Sequence, residues 1–308
     1  MTTSSAPGKI ILFGEHAVVY GQPALAVPVS QVQVAVTVTE AERAGVWIEA
    51  PGIRLSCGLD RLPPDDPLAA AISAVFSTLG VAPPPACRIE IQSTIPVASG
   101  MGSGAAVSVA VLRALSSYLG RPLDDAQVNR LAFEIEKLHH GTPSGIDNTV
   151  ITYARPVFFM KGQPIETLRV GTPFTIVIGD TGIASPTRLT VGAVRAAREA
   201  EPERFGRLFA AIGEIVRHAR DAIESGDAPA LGPLMDENHA LLQQLAVSSP
   251  ELDRLVQAAR SAGALGAKLS GGGGGGNMIA LVAPHTGDRL ARALSRAGAR
   301  QVFISRVA

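Results

Sequence analysis

The chain has 308 residues, enough for two ordinary domains, and 46% of them are hydrophobic against 18% charged, so a sizeable core can be buried. Lys plus Arg and Asp plus Glu stand at 27 each, a balance that excludes a long-range field attracting nucleic acid or an anionic membrane. Any anionic ligand therefore has to be held by local geometry.

The first half reads as strands punctuated by turns. Ile10 to Phe13 is a short apolar run after a Pro-Gly turn, and Gln31 to Thr39 carries VQVAVTVT, near the period-2 pattern of a half-buried strand. Val46 to Ala50 and Arg88 to Gln92 are further strand candidates. Asp65 to Leu79 shows apolar residues at helical spacing behind an acidic, Pro-rich start, and VAPPPAC at 81–87 is an irregular connection. One helix is expected from Gly102 to Gly120 and a second from Asp125 to His139, with Glu134, Glu136 and Lys137 off its apolar face. Phe174 to Ile178 reads as a buried strand.

Beyond it the character changes. Thr190 to Glu224, interrupted near Pro202, and Pro229 to Leu245 read as long amphipathic helices, followed by Pro250 to Ala262. Ala267 to Leu269 leads as a strand into six glycines, and Met278 to Val282 and Gln301 to Ser305 close the chain as strands. Mixed strands first and a helix-rich second half predict an α+β protein of two lobes divided near residue 170. Cys57 and Cys87 are the only cysteines, without CxxC or a neighbouring His; buried free thiols of a reducing compartment are expected. MTTSSAPGK lacks the basic and apolar regions of a secretory signal. No stretch of about 18 residues has the composition of a membrane helix, and a cytosolic protein is expected. The apolar composition also suits a homodimer.

The most informative segment is PVASGMGSGAA: Pro96, Val97, Ala98, Ser99, Gly100, Met101, Gly102, Ser103, Gly104, Ala105 and Ala106. Small residues let backbone amides approach an anion, and the helix that follows adds unpaired N–H groups and the positive end of its dipole. Such a loop can cradle a polyphosphate. It matches neither GxxxxGK[ST] nor GxGxxG, and glycines placed only to turn a strand into a helix are the bland alternative.

In SAPGKIILFGEHAVVYGQPAL, Lys9, Glu15, His16 and Tyr20 surround one apolar strand and its turn. Polar side chains inside an apolar segment need partners or a purpose. In EKLHHGTPSGIDNTV, Glu136 ends a helix and Asp147 follows a Pro-Ser-Gly turn eleven positions later. The turn allows both carboxylates to converge, one to ligate Mg2+ and one to orient or deprotonate a hydroxyl. Phosphoryl transfer requires those roles, a phosphate cradle and a cation, for which Lys9 is available. Helix capping for Asp147 and solvation for Glu136 are the alternatives. Adjacent His139 and His140 point different ways on a helix and make no zinc site. KLSGGGGGGN, Lys268 to Asn277, lies between two apolar strands, which favours close backbone approach to a ligand or to the other lobe over a flexible linker.

APGKIILFGEHAVVYG, PVASGMGSGAA and KLSGGGGGGN resemble, in order, the three signature motifs of the GHMP kinases, a family named for galactokinase, homoserine kinase, mevalonate kinase and phosphomevalonate kinase. GEHAVVYG with HGTPSGIDNTV, and IVIGDTGIASPT at 176–187, are most similar to the mevalonate-phosphorylating, archaeal-type branch. The resemblance implies the two-lobed GHMP fold, with a mixed α/β N-terminal domain over 1–170 and a helix-rich, ferredoxin-like C-terminal domain over 171–308. It implies transfer of the γ-phosphoryl group of ATP to the C5 hydroxyl of mevalonate, with Asp147 and Lys9 catalytic. Glu136 would hold Mg2+, Glu15, His16 and Thr187 would contact mevalonate, and residues 96–106 would wrap the ATP phosphates.

Two departures stand out. Where the family commonly has GLGSSAA, the second serine, a potential Mg2+ ligand, is here Gly104, so Ser103, a water or Glu136 has to compensate. The third motif has Gly272 in place of the usual Ala. Phosphomevalonate kinase or another GHMP small-molecule kinase stays open as an alternative, as does, remotely, a non-catalytic nucleotide-binding protein.

Overall fold

The structure, a computed structural model, describes residues 1–96, 99–140, 143–164, 166–184 and 187–308, with the side chains of His139, His140 and Thr187 outside that description. The chain forms two compact units: Met1–Gly8, Val32–Val97 and Gly102–Ala154 in one, and Lys9–Gln31, Ala98–Met101 and Arg155–Ala308 in the other.

In the first unit, β3 (Val46–Ala50) pairs antiparallel with β4 (Leu55–Gly58) and parallel with β5 (Cys87–Ser93). The later half of β2 (Ala24–Glu40) pairs antiparallel with β5, Val34 to Glu40 running against Ser93 to Cys87. Val34, Val36 and Val38 are buried on alternate positions, the period-2 signature of a half-buried strand. Helix α1 (Pro67–Leu79) starts where the Asp66 side chain accepts from the amides of Leu68 and Ala69 at 2.8 and 3.2 Å, with Pro67 in the first turn. Helices α2 (Ser103–Tyr118) and α3 (Asp125–His140) pack on α1 and on each other, and α4 (Ile146–Tyr153) packs on α2 and α3.

The second unit holds a four-stranded antiparallel sheet in the order β11 (Gln301–Val307), β8 (Phe174–Asp180), β10 (Asn277–Val282), β9 (Gly266–Ser270). That order, with helices between β8 and β9 and between β10 and β11, is ferredoxin-like. Helices α5 (Thr187–Ala200), α6 (Pro202–Ser225), α7 (Leu231–Gln244), α8 (Pro250–Ser261) and α9 (Gly287–Arg296) complete it; α7 and α8 pack on β9, and α9 on β8 and β11. The N-terminal end of β2 pairs through Ala24–Ala26 with β6 (Val157–Phe159), which in turn pairs with β7 (Glu166–Thr167).

The helical stretch expected from Thr190 begins at Thr187 and breaks at Glu201, where Pro202 opens a new helix, as its missing N–H allows only in a first turn. Strand β1 (Thr2–Phe13) runs eight residues further upstream than Ile10–Phe13. Its polar start carries no apolar period; among the described strands β1 pairs with β2, and an edge strand tolerates Pro7. Cys87 is buried, but Cys57 is only half-buried, because its short strand β4 lies at the end of the strand order. Among the described residues no helix is long and apolar enough to cross a membrane.

Candidate active site

Strand β1 delivers Lys9 at 5% exposure, its backbone N–H donating to Met101 O at 3.0 Å. After Phe13 the chain turns through Glu15 and His16. His16 has φ 60 and ψ −45, a left-handed backbone that costs a non-glycine residue energy and clusters at functional turns. Its Nε2 donates to Gly272 O at 3.0 Å, and burial pushes the imidazole below its ordinary range against that hydrogen bond. The ring is therefore neutral at pH 7 and protonated on Nε2.

Glu15 is sealed in the core, where Oε1 accepts from Lys268 Nζ. Among the described residues Oε2 has no hydrogen-bond partner. Burial pushes the Glu15 carboxyl upward and the Lys268 ammonium downward, and their mutual attraction opposes both shifts. The partner that Glu15 required was not assigned from the sequence, although a lysine inside the buried strand GAKLS was itself a signal.

Lys268 leads into the glycine run. Gly271, Gly273, Gly274, Gly275 and Gly276 all have positive φ, so the run is a built loop. A Cβ on Gly273 would stand 1.9 Å from Val247 O, at a φ of +74°. No side chain fits there. Gly274 N donates to Val247 O at 2.8 Å and Gly276 N to Ile183 O at 3.0 Å. These close approaches are made within the second unit, to the segments after α7 and β8. Behind it, His239 Nδ1 accepts from Leu269 N at 3.3 Å, and burial lowers this imidazole to about 4.

Ser99 belongs to the expected phosphate loop, and its carbonyl accepts from Asn277 Nδ2 at 2.5 Å. Asn277 was another unassigned residue. Val97 and Ala98 lie outside the described residues, as do the side chains of His139, His140 and Thr187. The backbone of Thr187 begins α5.

In the first unit, α2 opens at Gly102 in the left-handed region, with no side-chain cap, so the first-turn amides of Ser103, Gly104 and Ala105 face an anion-ready helix terminus. Glu136, on α3, is 5% exposed. A Cβ built on Gly104 would lie 3.4 Å from Glu136 Oε1, with no other contact within 4 Å among the described residues outside its own helix backbone and chain neighbours. The departure from the family pattern thus stands directly beside the expected metal ligand. A buried carboxylate, a neighbouring Ser103 and unfilled space at Gly104 fit Mg2+, which is usually held by one or two carboxylates together with substrate phosphates. Asp147 sits half-buried in the first turn of α4, whose N-cap is Gly145, so capping does not explain it. Lys137 pairs with Glu134 at 2.7 Å on the surface and so does not join a cluster for a second phosphate.

Residues 67–155 match the model of the GHMP kinases N terminal domain and 219–300 that of the GHMP kinases C terminal domain. The chain is 37% identical over 316 residues to the mevalonate kinase of Thermococcus gammatolerans, covering 96% of this chain and 93% of that protein. It is 38% identical over 317 residues to the mevalonate kinase of Pyrococcus furiosus, with the same coverage. The crystal structure of L. major mevalonate kinase in complex with R-mevalonate superposes with a TM-score of 0.86 at 31% identity, covering 100% of this chain and 96% of that one.

Proposed function

Because the chain belongs to the GHMP kinase family, we propose that it transfers the γ-phosphoryl group of ATP to the C5 hydroxyl of mevalonate, giving 5-phosphomevalonate and ADP. The observation that carries this reading is the similarity to mevalonate kinases along 96% of the chain. The family's two domains are assigned to 1–170 and 171–308; the ferredoxin-like sheet and α5 to α9 all lie in the second range.

Asp147 takes the proton of the C5 hydroxyl, the freed oxygen bonds to the γ-phosphorus, and the bond to the β-phosphate oxygen breaks to leave ADP. Lys9 lowers the hydroxyl's pKa and balances the charge moving onto the transferring oxygens. The 96–106 loop and the N-terminal amides of α2 bind the phosphates. His16 and Thr187 hold mevalonate, and Glu15, its carboxylate fully buried against Lys268, supports the turn of His16 from behind. Glu136 and Ser103 would hold Mg2+, which would supply positive charge against the triphosphate. The free thiols Cys57 and Cys87 support a cytoplasmic location.

The test is coupled ADP release from the purified protein with ATP and Mg2+, offering mevalonate, 5-phosphomevalonate, homoserine and galactose separately. Turnover with mevalonate alone is expected; activity confined to 5-phosphomevalonate would overturn the substrate.

Gly104→Ser offers a second check. Its Oγ would extend from a Cβ 3.4 Å from Glu136 Oε1, placing one more hard oxygen in the metal shell. The half-saturating Mg2+ concentration should fall by about threefold or more, with kcat for mevalonate retained. A higher Mg2+ requirement would remove residue 104 from that shell.

A further inference from the structure

The six glycines carry no side chains, so whatever holds this loop in place must act on its backbone and at its ends. On the entering side, Lys268 Nζ donates to Glu15 Oε1 and to Leu269 O. Ser270 Oγ donates to Ile11 O at 2.7 Å, and Gly272 O receives His16 Nε2. On the leaving side, Asn277 Nδ2 donates to Ser99 O. The glycine run is thereby tied to β1, to the Glu15–His16 turn and to the phosphate-loop residue Ser99. Among these ties, only Lys268 with Glu15 is an ion pair of two fully buried side chains.

A buried ion pair is a poor source of net stability, because desolvation offsets the attraction, and an apolar pair of similar volume commonly does as well. Directional contact is what an apolar pair could not supply. The Lys268 ammonium meets both Glu15 Oε1 and Leu269 O, just before β9 gives way to the glycine loop.

We propose that Lys268 is a positioning residue for nucleotide binding: through its pair with Glu15 it holds the backbone of Gly271–Gly276 against the Glu15–His16 turn. The proposal rests on the reading of the site as one for phosphoryl transfer. It is independent of which alcohol accepts the phosphoryl group.

The experiment compares the parent with the double variant Glu15→Gln/Lys268→Met, which leaves no unpaired charge. ADP affinity in the presence of Mg2+ is measured by calorimetry, and amide hydrogen exchange is followed at residues 271–276. These readouts are chosen because a direct contact of Glu15 with mevalonate would not move them. The double variant should fold, bind ADP at least about tenfold more weakly, and exchange faster at 271–276 with β8 and β11 unchanged. Parent-like ADP affinity would overturn the proposal, as would an even rise in exchange over the whole sheet.

The parent alone provides a second reading: ADP should slow exchange at 271–276, and no protection there would overturn the proposal even if the double variant failed to fold. Failure of the parent to phosphorylate mevalonate would instead remove the proposed substrate, and both measurements would still stand.

Discussion

Asp147→Asn is expected to lower kcat for mevalonate at least about a hundredfold, equivalent to about 2.7 kcal/mol of transition-state stabilisation, with ADP affinity almost unchanged. The substitution keeps the side chain's shape and replaces a proton acceptor with an amide that accepts no proton at working pH. Asp147 lies in the first turn of α4 but does not cap it. Loss of a negative charge near a helix N-terminus costs about 0.3–1 kcal/mol. A catalytic defect of the expected size with normal unfolding would mark a chemical role. Steady-state kinetics with mevalonate and a calorimetric ADP titration measure the two sides. Near-parent kcat would remove Asp147 from the mechanism.

The largest effect on stability is expected from Lys268→Met with Glu15 left in place. The Glu15 and Lys268 side chains are both fully buried and paired. Removing the ammonium leaves a carboxylate with no countercharge in a site that burial already makes unfavourable for its ionised form. The group must take up a proton or drag water inward. Losing one member of such a pair costs about 3–5 kcal/mol, a large share of the roughly 5–15 kcal/mol that holds a typical protein folded. Urea unfolding should show this loss, and Glu15→Gln in the same chain should recover most of it. A single variant as stable as the parent would contradict the sealed environment of the pair.

Local signals made many elements readable before the structure. Val46–Ala50 keeps the limits its alternation predicts. Asp66 and Pro67 announce α1, and the glycines before Ser103 announce α2. Elements that send weaker local signals were not legible. Helix α4 is only eight residues long and follows a glycine. Helix α9 buries just Leu290 and Leu294 among charged residues, and β4 has four residues with one of them buried.

The amino-acid sequence by itself determined the family motifs, the small-residue loop at the head of α2 and the acids and lysine proposed for phosphoryl transfer, because residue type and short spacing express those directly. It also required that Glu15 and His16 have partners. Only the tertiary structure decided which ones: Lys268, 253 positions away along the chain, and the carbonyl of Gly272. It likewise decided that the glycine run approaches Val247 and Ile183, and that Gly104 stands beside Glu136. The physical reason is range. Capping and periodicity act over a few residues, whereas the desolvation of a charge is set by whatever the folded chain brings against it, and nothing within a short window of sequence encodes that neighbour.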